Sequence, residues 1–213
     1  AAASDRAEVF NRSLFDKAGE LGLLGVTIPE AYGGAGLDAV AAVQLYEALS
    51  TSDPGFGLAV LAHSVLFAHN LAINGNEEQC QRFLPKAVSG EAVAGMCMTE
   101  PEAGTDVLAM RTRAERDGDD WVIHGVKTYI TNGTRADFIT LAVRTGGPDH
   151  GGISLVMFPT DTKGFSVSKK LEKVGNHCSD TAEIFFEDCK IPTKNLLGSE
   201  NAGFYYIMQN FQG

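Results

Sequence analysis

The chain has 213 residues, 44% apolar and 21% charged, the composition of a packed globular protein rather than a disordered one. Seventeen Lys and Arg against 27 Asp and Glu leave a formal net charge of −10, which disfavours nucleic acid and anionic membrane surfaces as partners. Cys80, Cys97, Cys178 and Cys189 have neither CxxC nor zinc-type spacing and read as reduced, buried thiols of an intracellular protein.

The first ninety residues read as helices. No basic start with an apolar run, the mark of a signal peptide, opens the chain. Asp5 and Glu8 have the spacing of a capping box, and Phe10, Leu14, Ala18 and Leu21 recur at helical intervals before Gly22 and Gly25. Residues 28–36, IPEAYGGAG, form a turn segment. Asp38 can cap a second helix to about Ser50, and Asp53-Pro54-Gly55 breaks before a third that ends near Ile73. Pro54 to Asn76 carries no charged residue but holds a proline, glycines, a serine, histidines and asparagines, so it reads as a buried helix rather than a bilayer span. Asn76 and Gln79 make another capping box. Cys80, Phe83, Leu84, Ala87 and Val88 then lie on one apolar stripe, which Pro85 is expected to kink or split.

From Glu91 the period becomes two. MRTRAER alternates, Asp117-Gly118 is a hairpin signal, and WVIHGVKTYI is the return strand. Phe138–Arg144, Ile153–Phe158, Phe165–Lys169 and Thr181–Phe186 are further strands, read as an all-antiparallel set because no helical crossover fits between them. A Rossmann sheet is thereby excluded. A last helix begins near Gly203. The fold class is α+β: an N-terminal helical domain (1–90), an antiparallel β-barrel-like middle domain (91–197), and the start of a C-terminal helical-bundle domain (198–213).

The common catalytic constellations are missing from the sequence. His63 and His69 have the wrong spacing for a metal pair on one helix face, and His124, His150 and His177 have no partner cluster, so satisfied or exposed histidines are expected and no metal. There is no GxSxG elbow and no P-loop. Most of the acidic residues read as solvated surface, and composition alone selects no catalytic one. Two polar turns remain. MCMTEPEAGTD (96–106) combines Thr99 and Thr105 hydroxyls with Gly104, which lets backbone approach a ligand. Its Glu100, Glu102 and Asp106 would repel phosphate, and a plain surface turn is the competing reading. KTYITNG (127–133) places the Tyr129 ring and the Thr131 hydroxyl on one strand face, able to stack on and hydrogen-bond a flat cofactor; a structural strand end is the alternative.

These two turns, about 30 residues apart, resemble the acyl-CoA dehydrogenase family. So do IPEAYGGAGL before them, and KLEKVGNHCSDTAEIFFEDCKIPTKNLLG and GFYYIMQNFQ after them. The resemblance runs from about Phe15 to Gly213. It implies FAD held between a middle β-domain and a C-terminal helical domain, without a Rossmann fold. Met96, Met98 and Thr99 match positions near the isoalloxazine, with Thr99 on its pyrimidine side. Gly104 lies in the same stretch, and Thr105 matches a residue that reaches both the FAD pyrophosphate and the CoA thioester. Tyr129 stands where an aromatic, often Trp, covers the flavin; Ile130 follows it, and Thr131 matches the hydroxyl that bonds flavin N5. Glu102 in place of a common glycine and Thr105 in place of a common serine are mild departures.

The implied reaction is α,β-dehydrogenation of an acyl-CoA, with electrons passing to an electron-transferring flavoprotein. The apolar segment Gly57–Ile73 would line the acyl pocket. The implied assembly is a dimer or tetramer, in bacterial cytoplasm or a mitochondrial matrix. The catalytic glutamate and an arginine of the family are expected beyond Gly213, in a longer chain. Acyl-CoA oxidases, flavin monooxygenases on the same fold and a non-catalytic fragment are the alternatives.

Overall fold

In a computed structural model, residues 2–212 of the chain are described. The helices are α1 (Ala2–Arg6), α2 (Arg12–Glu20), α3 (Ala39–Ser52), α4 (Pro54–Leu61), α5 (Asn70–Asn74), α6 (Glu77–Val88) and α7 (Gly203–Gln212). Between α4 and α5, residues Ala62–His69 are π-helical, so Pro54–Asn74 forms one rod.

Capping residues set most helix starts. The Asp38 carboxylate accepts Ala41 N–H (3.0 Å), Asp53 accepts Phe56 N–H (2.9 Å), and Asn76 and Gln79 form the expected reciprocal box. Two expectations fail locally. Asp5 and Glu8 do not open a helix: Glu8 takes a left-handed φ of 54°, the Asp5 carboxylate accepts the Cys178 N–H (3.1 Å), and α2 starts one turn later on Asn11. The buried face of α2 is accordingly Phe15 and Ala18, with Leu14 and Leu21 exposed. Pro85 does not split α6, which runs unbroken to Val88; the proline lies on the solvent side, while Phe83, Leu84, Ala87 and Val88 are buried.

The strands are β1 (Ala94–Cys97), β2 (Arg113–Asp117), β3 (Asp120–Thr131), β4 (Phe138–Arg144), β5 (Ile153–Pro159), β6 (Phe165–Lys170), β7 (Thr181–Pro192) and β8 (Leu196–Leu197). They form one sheet in the order β6-β7-β3-β2-β4-β5-β8, with β1 added on β4. Phe158 of β5 packs on Phe165 of β6 (5.7 Å between rings) and Phe186 of β7 (5.1 Å), so the sheet curls around its own apolar interior. Pairing is not wholly antiparallel. β1 runs parallel to β4 over four residue pairs, and β2 touches β4 in parallel at Arg113 and Arg144. The β2–β3 hairpin, inserted between β1 and β4, supplies the long connection that parallel neighbours need, and no helix is required.

One core cluster crosses from helices to sheet, uniting Ile28, Phe67, Phe83 and Leu84 with Met110, Leu155 and Ile207. The Pro54–Asn74 rod is long and apolar enough to cross a membrane (mean hydropathy 1.7), yet 61% of its most apolar window is buried in the protein. At Gly34 the chain passes so close to Ile28 that a Cβ would lie 2.0 Å from its carbonyl oxygen. All four cysteines are free and buried, and Cys178 donates through Sγ to Asp53 (3.2 Å).

Candidate functional site

Where the π-helical segment meets the ends of β1 and β3, a cavity of about 120 Å³ opens, lined by Met96, Met98, Thr99, Tyr129, Ile130 and Thr131, together with Ala62, Leu66 and Phe211. Six of the eight residues singled out in the sequence therefore meet in one place. Gly104 and Thr105 do not line it. They lie on the exposed turn that follows, where a Cβ added at Gly104 would come within 4.0 Å of the Thr99 methyl group. Ala62 and Leu66 come from the apolar helix, whose individual contacts no periodicity in the sequence marks.

Tyr129 is not presented as simple strand alternation predicts. A bulge in β3 between Lys127 and Ile130 gives Tyr129 a φ of 60° and turns its ring out, 68% exposed, while Ile130 and Lys127 are buried. The bulge, rather than the period of two, places the Tyr129 ring and the Thr131 side chain at one cavity wall. Neither the Thr99 nor the Thr131 hydroxyl has a hydrogen-bond partner among the described residues.

Glu100 corrects the expectation of a phosphate-repelling carboxylate. It is 6% exposed and pairs with the fully buried Lys127 at 2.9 Å. Its oxygens also accept the N–H groups of Arg111 (2.7 Å) and Thr112 (2.9 Å), so one carboxylate clasps both ends of the turn that carries Gly104 and Thr105. Lys127 donates further to the Met98 carbonyl (2.9 Å), and Thr128 N–H donates to the Thr99 carbonyl (2.9 Å). Burial works against the Glu100 charge, but Lys127 and the two amides hold its carboxyl below the ordinary range; burial pushes the Lys127 ammonium down. Glu102 pairs with Arg111 (2.8 Å), and Asp106 accepts the Leu108 N–H (3.1 Å). All three acidic residues of the turn are thus engaged within the protein. A charged residue in the inward register of β3 was the available signal for Lys127; its partner, 27 positions away, was not.

The histidines are individually engaged. His63 is fully buried and bridges two backbone groups, His69 meets Thr27 (3.2 Å), His124 meets Asp188 (2.9 Å), and His177 meets Glu8 (3.5 Å). Among the described residues, no group of three His, Cys, Asp or Glu side chains could hold a metal ion.

Residues 1–91 match the family profile for the acyl-CoA dehydrogenase N-terminal domain, and residues 95–189 match that for the middle domain. The chain is 42% identical to the mitochondrial long-chain specific acyl-CoA dehydrogenase of Sus scrofa, over 96% of this chain and 48% of that protein. It is 41% identical to the mitochondrial isovaleryl-CoA dehydrogenase of Pongo abelii, over 96% of this chain and 49% of that one. An acyl-CoA dehydrogenase from Bacillus anthracis solved in complex with FAD superimposes with a TM-score of 0.88 at 35% identity, over 93% of this chain and 34% of that one. The chain spans about half the length of the curated relatives it matches.

Proposed function

The chain belongs to the acyl-CoA dehydrogenase family, and on that premise we propose that it forms part of an FAD-dependent enzyme that introduces an α,β double bond into an acyl-CoA thioester and passes electrons to an electron-transferring flavoprotein. The observation that carries this reading is the cavity at the ends of β1 and β3. Sulfur and hydrocarbon of Met96, Met98, Ile130 and Leu66 give it apolar walls, the Tyr129 ring stands at its rim, and two hydroxyls are left without partners among the described residues. That combination fits a planar heteroaromatic ring with polar edges.

FAD, when bound, supplies the acceptor for the two electrons and the hydrogen that leave the substrate. The residues of this chain hold and orient it: Thr131 and Thr99 as hydrogen-bonding hydroxyls at the ring edge, Met96 and Met98 as its apolar bed, Tyr129 as its cover, with Ile130 behind. Thr105, on the turn opened by Gly104, is assigned to the pyrophosphate and to the thioester end of the substrate. The Glu100–Lys127 clasp neutralises the buried carboxylate and fixes that turn, and Arg111 pairs with Glu102, so among the described residues only Asp106 of the three carboxylates has no cationic partner. No Asp or Glu lines the cavity, and no residue among 2–212 is assigned the proton abstraction. Division into a helical unit (1–90), a β unit (91–197) and the beginning of a further helical unit (198–213) is part of the same reading, as is a dimer or tetramer in bacterial cytoplasm or a mitochondrial matrix.

The test is the visible spectrum of the purified protein, before and after FAD is supplied, and during anaerobic titration with an acyl-CoA series. Relatives named for long-chain and for isovaleryl substrates are almost equally identical, so the series runs from short branched to long straight acyl groups. Bleaching of the flavin band by one class of acyl group is the expected result. Absence of any flavin band after reconstitution overturns the proposal, and rapid peroxide formation in air replaces it with an oxidase.

A further inference from the structure

Strand β1 has β4 on one side, and side chains close its other edge. Asp137 and Phe138 donate backbone N–H groups to the Val93 carbonyl (2.7 and 3.4 Å). The pleat then aims the peptide groups of Gly95 and Cys97 toward β4, and those of Ala94 and Met96 toward the opposite edge. At Ala94 both groups are taken. Its N–H donates to His63 Nδ1 (3.0 Å), and its carbonyl accepts from Asn132 Nδ2 (3.0 Å). The same Asn132 Nδ2 also donates to the Ala59 carbonyl (3.0 Å), in the last turn before the π-helical segment. Met96, the next residue on that edge, lines the cavity.

Asn132 is fully buried, has a left-handed φ of 64°, and directly follows Thr131. Its two bonds fix the amide orientation, since both partners are carbonyls that only accept. The price is a buried Oδ1 with no partner among the described residues, a wasteful way to fill space unless the two-pronged donor is what the site needs. One side chain thus ties the helix, β1 and the end of β3 together, at points no more than three residues from Ala62, Met96 and Thr131. The seam it closes is narrow: a Cβ on Gly95 would lie 2.9 Å from the Thr131 carbonyl oxygen.

We propose that Asn132 is a positioning residue: its amide holds the helix, β1 and β3 walls of the cavity in register, and His63 seals the Ala94 N–H so that the open edge begins at Met96. The ligand named for that edge rests on the flavin reading above; the register itself rests on the bonds just described.

The test compares the parent protein with Asn132→Gly, which accepts the left-handed backbone and removes the donor. Gly95→Ala crowds the same seam without touching the amide and serves where Asn132→Gly folds poorly. Two measurements are made: the FAD dissociation constant with the visible band of bound flavin, and amide hydrogen exchange of the flavin-free protein. Expected are FAD binding weaker by about tenfold, a displaced flavin band, and faster exchange confined to residues 94–98 and 131–133. A lowered melting temperature with unchanged FAD affinity, band and local exchange overturns the proposal and leaves Asn132 a packing residue. A parent protein that takes up no FAD sinks the flavin reading instead, and local exchange alone then decides whether Asn132 sets the edge.

Discussion

The backbone around His63 fixes its tautomer. The Ala94 N–H can only donate, so Nδ1 is unprotonated; the Ala87 carbonyl can only accept, so Nε2 carries the hydrogen (2.9 Å). A second proton would set an N–H against the Ala94 N–H at a fully buried ring, and burial pushes the imidazole down to about 4. In the unfolded chain the ring titrates near 6.5. As pH falls below 6.5 the unfolded state gains this proton first, so stability is complete above 6.5 and drains away toward pH 4. The loss reaches about 3 kcal/mol, at about 1.36 kcal/mol per pH unit. Urea midpoints between pH 7.5 and 4.5 should show this fall, and His63→Gln, which cannot titrate, should flatten the slope while lowering stability at pH 7.5. The Glu100–Lys127 pair makes a different prediction. Lys127→Met leaves a buried carboxylate without its cation and is expected to cost about 3–5 kcal/mol. Lys127→Met combined with Glu100→Gln should cost less than the sum of the two single changes, a coupling measured in a double-mutant cycle. Additive losses would show that the two groups act independently.

Among the elements, what could be foreseen depended on how local its cause is. Asp38, Asn76 with Gln79, and Asp117-Gly118 act within four residues, and the helices and hairpin they define form where expected. Asp5 found a better use for its carboxylate 173 positions away, at Cys178. The parallel β1–β4 pairing and the Glu100–Lys127 clasp are likewise tertiary facts with no local signature. The bulge at Tyr129 inverts the face that a period of two assigns, so the cavity residues were legible by type and the reason they converge was not. The π-helical stretch Ala62–His69 looks in sequence like any apolar helix. Pro85 offers a direct test at this scale. It lies exposed inside α6, where it deprives the Gln81 carbonyl of an N–H. Pro85→Ala should stabilise the protein by about 1–2 kcal/mol, the helix-propensity gain less the proline's effect on the unfolded chain. A melting temperature that stays level or falls would show that the proline ring contributes packing.

For the whole molecule, the largest core cluster draws on helices before residue 90, on strands after it and on α7. Cross-links reinforce this: Gln79 donates to the Lys194 and Leu196 carbonyls (2.9 and 2.7 Å), and Arg135 bonds Asp180 while covering the Phe10 ring. The helical and sheet parts should therefore unfold together, and calorimetry is expected to give one transition whose van't Hoff and calorimetric enthalpies agree. Two separated transitions would mean that the shared core is thermodynamically weak. The four thiols extend this argument to kinetics. Burial pushes every one of them up, Cys97 and Cys178 to about 12, so the native protein presents almost no thiolate at neutral pH. Cys80 lies on α6, Cys97 on β1, Cys178 in the loop bonded to Asp53, and Cys189 on β7. Alkylation at each sulfur therefore clocks the opening of one neighbourhood, and the chain carries its own set of four timers for the order in which its parts come undone.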